Sequence, residues 1–375
     1  MPHVLILCEY PTLHGGERSM LSVLDTVRQA GFTVTVAAPP EGPLGDAIRR
    51  QGVELLPFVF ADAHGERLPQ DRLREQLAAL VRSRKPDLLH ANSLSMGRLA
   101  GPVADELRVP SMAHLRDIVG LSRRAIADLN CSTRLLAVSE ATRQFHLERG
   151  LSADKTRVLH NGVDPERFRP RPKSGYLHRE LGLPADAMLA GTIGQISLRK
   201  GQDVLVQAGT LLAERLPRLH FLIVGERFSE KAESRRFEAD LHVAADGPLT
   251  GRLHLLGTRD DVDRLLGELT LLVHPARQEP LGRVLLEAAS SGVAVVATDV
   301  GGTAEIFPPE CESAQLVPAG DAEALAAAIR RVVEDDPFRA QLAASARRRA
   351  EEAFDVKLAA AGLVEHYRQV AGGVA

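Results

Sequence analysis

Short apolar runs and helical-period stretches take turns along this chain. Val4, Leu5, Ile6 and Leu7 form an unbroken apolar run that ends in a polar loop, residues 9–16, holding Pro11, Gly15 and Gly16. Met20, Val23, Leu24 and Val27 follow at spacings of three and four, the period of one helical face. Gly31 closes that pattern and residues 33–37 resume a β-branched run, so strand, loop, helix and strand open a βαβ unit. The alternation predicts further strands at 54–58, 88–91, 111–115, 135–139 and 156–160, with helices between most of them. Strands separated by helices pair in parallel and are covered on both faces. Pro165, Pro170, Pro172 and Pro184 then interrupt any long helix and mark a linker.

A second alternation predicts strands at 188–196, 220–224, 253–256, 271–274 and 294–298, with a helix around 204–215. Helices follow at 322–333, 337–352 and 357–370, the last offering Leu358, Leu363, Val364 and Tyr367 for packing. The predicted fold class is α/β, two doubly wound parallel-sheet domains facing across a cleft. The expected bounds are 1–170 for the first domain, 171–185 for the linker, 186–355 for the second domain and 356–375 for a closing segment. Ligands of such sheets bind at the carboxyl ends of the strands.

Composition narrows the function. At 375 residues the chain exceeds the roughly 100–200 of one ordinary domain. A net charge of −3 argues against a nucleic-acid partner, which usually demands a basic excess. Cys8, Cys131 and Cys311 are scattered without metal-ligand spacing and read as buried thiols of a reducing compartment. The first apolar run lacks the basic flank and length of a signal peptide, and no stretch reaches the roughly 20 apolar residues of a membrane span. The expected location is the cytoplasm, with peripheral contact at the inner membrane face left open.

The most specific segment runs from Glu279 through Pro280, Leu281, Gly282 and Arg283 to Glu287, just past a predicted strand. With Pro280 at a first helical position, the amides of Leu281, Gly282 and Arg283 stand at a helix N-terminus, where the dipole favours phosphate. Glu279 and Glu287 then lie about 12 Å apart along the axis. That separation suits one carboxylate on sugar hydroxyls and one on a ribose, although a helix with a capping Glu279 and a solvated Glu287 has the same spacing. Lys200, before Gly201 at another strand-to-helix turn, is placed as a point charge for a phosphate, or is a surface lysine beside a turn glycine. Gly15 and Gly16, after His14, allow amides to close on a phosphate, or make an ordinary turn.

The ordered set resembles the retaining family-4 glycosyltransferases of GT-B fold, whose two domains are Rossmann-like, over nearly the whole chain. It comprises Gly15-Gly16-Glu17-Arg18-Ser19, Val138-Ser139-Glu140, Asn161-Gly162-Val163-Asp164, Lys200-Gly201, Val224-Gly225, Glu279 with Glu287, and Gly301-Gly302 with Glu305. The resemblance implies a nucleotide-sugar donor, a hexose-type sugar transferred with retention, and no metal or other cofactor. It places Glu279 on the donor sugar, Glu287 on the ribose, Lys200 on the diphosphate and Gly16 near the phosphate. His114 matches a histidine near the transferred sugar, although a lone histidine at a strand end is more often structural. Base recognition is expected on loops 225–228 and 257–261, which include Gly225 and Thr258.

One departure stands out. Many relatives carry arginine where this chain has Gln195, and a neutral amide cannot neutralise a phosphate. Arg283 is the candidate replacement, with an Arg283–Glu287 pair as the competing reading. UDP is favoured by the resemblance and GDP comes next. A sugar-nucleotide epimerase and a catalytically silent binding subunit are the alternatives. Acceptor contacts are expected on loops 9–16, 64–70, 92–96 and 116–123, with a lipid-linked sugar, a small metabolite or a glycan end all open.

Overall fold

A computed structural model describes residues 1–62, 64–247 and 249–372. The chain divides into two compact units, Met1–Gly162 with Val356–Ala375, and Val163–Asp355. In the first unit the strands are β1 (His3–Leu7), β2 (Thr33–Ala38), β3 (Glu54–Pro57), β4 (Leu88–Ala91), β5 (Ser111–Leu115), β6 (Arg134–Ala137) and β7 (Thr156–Val158). In the second they are β8 (Met188–Ile193), β9 (Leu219–Val224), β10 (Leu253–Leu255), β11 (Leu271–His274), β12 (Ala294–Thr298) and β13 (Gln315–Val317).

Both sheets are parallel throughout and doubly wound. Their orders are β3-β2-β1-β4-β5-β6-β7 and β10-β9-β8-β11-β12-β13. Winding reverses between β1 and β4 in one unit and between β8 and β11 in the other. At such a reversal neighbouring crossovers go to opposite faces and leave a crevice at the carboxyl ends of the strands. The continuous apolar runs of the sequence follow from burial on both faces. In β1, Leu5 and Leu7 pack into one core while Val4 and Ile6 pack into another.

The helix Val356–Gly372 completes the first unit. Ala360, Leu363, Val364, Tyr367 and Val370 join the core formed by Val4, Ile6 and Leu24. The Tyr367 ring meets Phe32 edge-on, with centroids 5.5 Å apart. Leu358, expected among the packing positions, is instead exposed because it falls outside that stripe. Residues 373–375 of the expected closing segment lie outside the described residues.

Four further expectations need correction. The unit boundary falls at Gly162, not at 170. The supposed linker holds a helix, Tyr176–Leu181, bracketed by Gly175 and Gly182 at positive φ. Its entry is tied down by Glu268, whose carboxylate accepts from the Ser174 amide, the Ser174 hydroxyl and the Gly175 amide. The helix Ala232–Ala245 and strand β13 had no expected counterpart, the first because only Phe237 and Leu241 are buried and the second because it has three residues. Only Cys8 is a buried thiol; Cys131 and Cys311 are partly exposed.

Candidate functional site

In the second unit the winding reversal puts the loops after β8 and β11 side by side. Close backbone approach fixes them together. A Cβ on Gly201, which has φ of +66°, would stand 2.0 Å from the Pro275 carbonyl oxygen. Arg277 donates its amide to the Arg199 carbonyl at 2.8 Å, and its guanidinium pairs with Asp203. Lys200, the last residue of a 3₁₀ turn, is thereby delivered to Glu279.

The Lys200 Nζ donates to Glu279 Oε2 at 2.5 Å, and His274 Nε2, at the end of β11, meets the same oxygen at 2.8 Å. Burial alone would raise the Glu279 carboxyl, but the Lys200 charge and the His274 hydrogen bond hold it well below the usual carboxylate range. Burial, reinforced by Lys200, keeps His274 below its ordinary value, so a neutral ring donates its Nε2–H to the carboxylate. Glu279 Oε1 has no partner among the described residues. His274 was not singled out from the sequence; its signal was a polar residue closing an apolar strand five positions before a glutamate.

The helix begins at Arg283, so Pro280 and Leu281 precede it rather than opening it. Gly282 is the N-cap with φ of +105°, a conformation that a helical residue cannot have. A Cβ there would fall 2.6 Å from the Leu285 Cδ1. Arg283 pairs with Glu287, donating Nη2 at 2.7 Å and Nε at 3.1 Å to Oε1. The i,i+4 pair weighed against a phosphate role is therefore present.

Three loops meet at the carboxyl ends of β8, β9 and β10. The Gly225 amide donates to the Gly257 carbonyl and the Ile196 amide to the Glu226 carbonyl, at 2.8 and 2.9 Å. The Thr258 amide reaches Glu226 Oε1 at 3.3 Å. A Cβ on Gly225 would stand 2.1 Å from the Gly194 oxygen, so only glycine lets these loops touch. Gln195 sits in this junction, its carbonyl accepting from Gln202 Nε2 at 3.0 Å.

In the first unit Gly15 and Gly16 are not in a loop. They form the first turn of the helix Gly15–Leu21, and Gly16 leaves room for Arg116, whose Cδ would lie 3.2 Å from a Cβ there. Arg116 donates to Asn92 through Nε and Nη2 and to Asn161 Oδ1 through Nη1, at 2.9, 3.0 and 2.8 Å. Beside it a cavity of about 20 Å³ is lined by His114, His90, Asn161 and Tyr367 among others. His114 Nδ1 lies 2.8 Å from His90 Nε2, and His90 Nδ1 lies 2.5 Å from the Tyr367 hydroxyl. Burial and then the Arg116 charge lower His90 to about 3, and the same causes hold His114 well below the usual range.

Lys200, Glu279, Gly282, Arg283 and Glu287 thus belong to one unit with Gln195, Gly225 and Thr258, while Gly15, Gly16 and His114 belong to the other. Among the described residues no helix is long and apolar enough to cross a membrane, and no three His, Cys, Asp or Glu side chains cluster to hold a metal.

Residues 13–167 match the family described as Glycosyltransferase Family 4, and residues 176–349 match Glycosyl transferases group 1. The chain is similar to the phosphatidyl-myo-inositol mannosyltransferase of Mycolicibacterium smegmatis, with 28% identity over 98% of this chain and 94% of that protein. It shares 30% identity with the D-inositol 3-phosphate glycosyltransferase of Saccharomonospora viridis, over 76% of this chain and 70% of the relative. HepE from Anabaena, solved in complex with UDP and glucose, has the same fold, with a TM-score of 0.85 over 97% of this chain and 98% of that one at 24% identity.

Proposed function

Because this chain belongs to the family-4 glycosyltransferases of GT-B fold, we propose that it moves a hexosyl unit from a UDP-sugar to an acceptor hydroxyl. In this reading the anomeric configuration is retained and no metal ion is required. The observation that carries it is the Lys200–Glu279–His274 cluster at the winding reversal of the second unit. An ionised carboxylate pinned through one oxygen, with the other unpartnered among the described residues, suits a sugar hydroxyl. Held by two donors, Glu279 is a binding group and a poor nucleophile, and the acceptor attacks from the leaving-group side.

Breaking the anomeric C–O bond builds charge on the departing diphosphate, and fixed positive groups lower that barrier. Lys200 keeps two N–H donors beyond the one given to Glu279. The helix N-terminus at Gly282 and Arg283 adds amides and the positive end of a dipole. Arg283 would exchange Glu287 for the diphosphate, supplying the charge absent at Gln195 and freeing Glu287 for the ribose hydroxyls. The resemblance assigns His114 to the transferred sugar. One relative's name contains phosphatidyl-myo-inositol and another's inositol 3-phosphate, so polyol phosphates, lipid-linked or free, are the first acceptors to test. A cytoplasmic site of action, with membrane contact through a lipid acceptor, belongs to the same proposal, and GDP is the second donor nucleotide.

Thermal stabilisation by UDP, GDP, ADP, TDP and CMP, with and without EDTA, tests it. A nucleotide at 100 times its Kd stabilises by about 2.7 kcal/mol. Selective, EDTA-insensitive stabilisation by UDP is expected, and no shift with any nucleotide overturns the reading. Donor interconversion without transfer would reassign the chain as an epimerase, and binding without turnover as a silent subunit.

A further inference from the structure

Two imidazoles stand on the strand face that is otherwise apolar and covered by the C-terminal helix. Alternation along β4 puts His90 on the same face as Leu88, and along β5 it puts His114 on the same face as Met112. Tyr367, from that helix, completes a chain of two hydrogen bonds: its hydroxyl to His90 Nδ1 at 2.5 Å, and His90 Nε2 to His114 Nδ1 at 2.8 Å. All three side chains are buried, at 0%, 1% and 4% exposure in that order.

Three protons serve two hydrogen bonds, so either direction leaves one donor over, and burial selects between them. Neutral rings carry one N–H each and the phenol one O–H, and each hydrogen bond uses one of them. If His114 donates to His90 and His90 to Tyr367, the phenol must aim its own proton elsewhere. Tyr367 is 0% exposed and its hydroxyl has no other hydrogen-bond partner among the described residues, so the unused proton is costlier there than on the less buried His114. In the opposite direction Tyr367 donates to His90 Nδ1 and His90 Nε2–H donates to His114 Nδ1, and the donor left over is His114 Nε2–H, in a side chain that keeps 4% exposure. The proton of His114 is then on Nε2, its remaining nitrogen, in a side chain that lines the cavity beside Arg116 and Asn161.

We propose that Tyr367 and His90 are positioning residues that lock His114 as an Nε2–H donor, so that the last helix of the chain sets the chemistry of a first-unit site residue. The inference rests on the reading that His114 meets the transferred sugar. It adds that His114 gives a hydrogen bond to a sugar oxygen and does not act as a base through Nε2.

The test is the tautomer itself. Long-range ¹H–¹⁵N spectra of the full chain labelled with ¹⁵N-histidine, assigned with His90→Asn and His114→Ala, should show both rings as Nε2–H tautomers at pH 7.5. An Nδ1–H form of His114 overturns the relay without any variant that must fold. Tyr367→Phe, which keeps the ring and removes the hydroxyl, should shift the His90 signals and lower kcat about tenfold with donor KM within about twofold. Wild-type kcat in Tyr367→Phe, with His114→Ala impaired, overturns the positioning role. Wild-type kcat in His114→Ala overturns instead the reading that His114 meets the sugar.

Discussion

Lys200 and Glu279 lie 79 residues apart in the chain and meet at 2.5 Å, with side chains only 14% and 7% exposed. A pair this dry has a large cost when one partner is lost, since the remaining charge has left water without a counter-charge. Lys200→Ala should lower unfolding free energy by about 3 kcal/mol, read from urea denaturation. Adding Glu279→Gln to that variant removes the stranded charge and should restore more than half of the loss. Both variants should lose transfer activity by about a hundredfold or more, because the charge that meets the leaving group is gone in each. A single variant as stable as wild type would show that the pair is not held out of water.

Arg283 and Gln195 make a second comparison. If Arg283 supplies the charge missing at Gln195, Arg283→Ala should raise donor KM or lower kcat by about tenfold or more, while Gln195→Ala should stay within about threefold. Steady-state kinetics with UDP-glucose and any working acceptor decide this. Small, equal effects would mean that the Arg283–Glu287 pair is structural.

Acid should weaken the first unit from a defined point. His90 is lowered to about 3 and His114 well below its ordinary value, so both stay neutral in the fold while the unfolded chain takes up protons from about pH 6.5 downward. Unfolding then binds protons, and stability falls as the pH falls through that window. Between pH 7.5 and 5.5 His90 contributes about 1.4 kcal/mol of loss, and His114 adds a loss of the same sign. His90→Asn should reduce the difference between the two pH values by about that amount, even if the variant is less stable at both. An unchanged difference in urea midpoints would mean that His90 titrates normally in the fold.

Parallel strands buried on both faces announce themselves as mostly apolar runs with few polar breaks, so β1, β4, β5, β8, β11 and β12 were legible from residues alone. Edge pieces were not. β13 pairs only with β12 and spans three residues, too few for a period. In the site, Lys200, Glu279 and Glu287 were legible because a resemblance supplied their roles, but their mutual contacts were not. Nothing local in the sequence says that His274 and Lys200 share one oxygen of Glu279, since that depends on two loops meeting at a winding reversal. The helix start misled for a local reason. Pro280 fits a first helical position, but Gly282 at positive φ delays the first turn to Arg283. His90 and Tyr367 were hidden for the opposite reason: each looks like a residue of its own element, and only tertiary packing joins them across 277 positions.

The helix Val356–Gly372 also sets an order of assembly. Its buried face belongs to the core built by the first strands, yet it is made only after the second unit, Val163–Asp355, has been synthesised. On the ribosome the second unit can therefore close before the first is complete, and the first sheet waits with one flank uncovered until residues 356–372 emerge. A chain stopped near Asp355 would keep a finished second unit and release an unfinished first one, open to chaperones and proteases along the flank that Tyr367 covers.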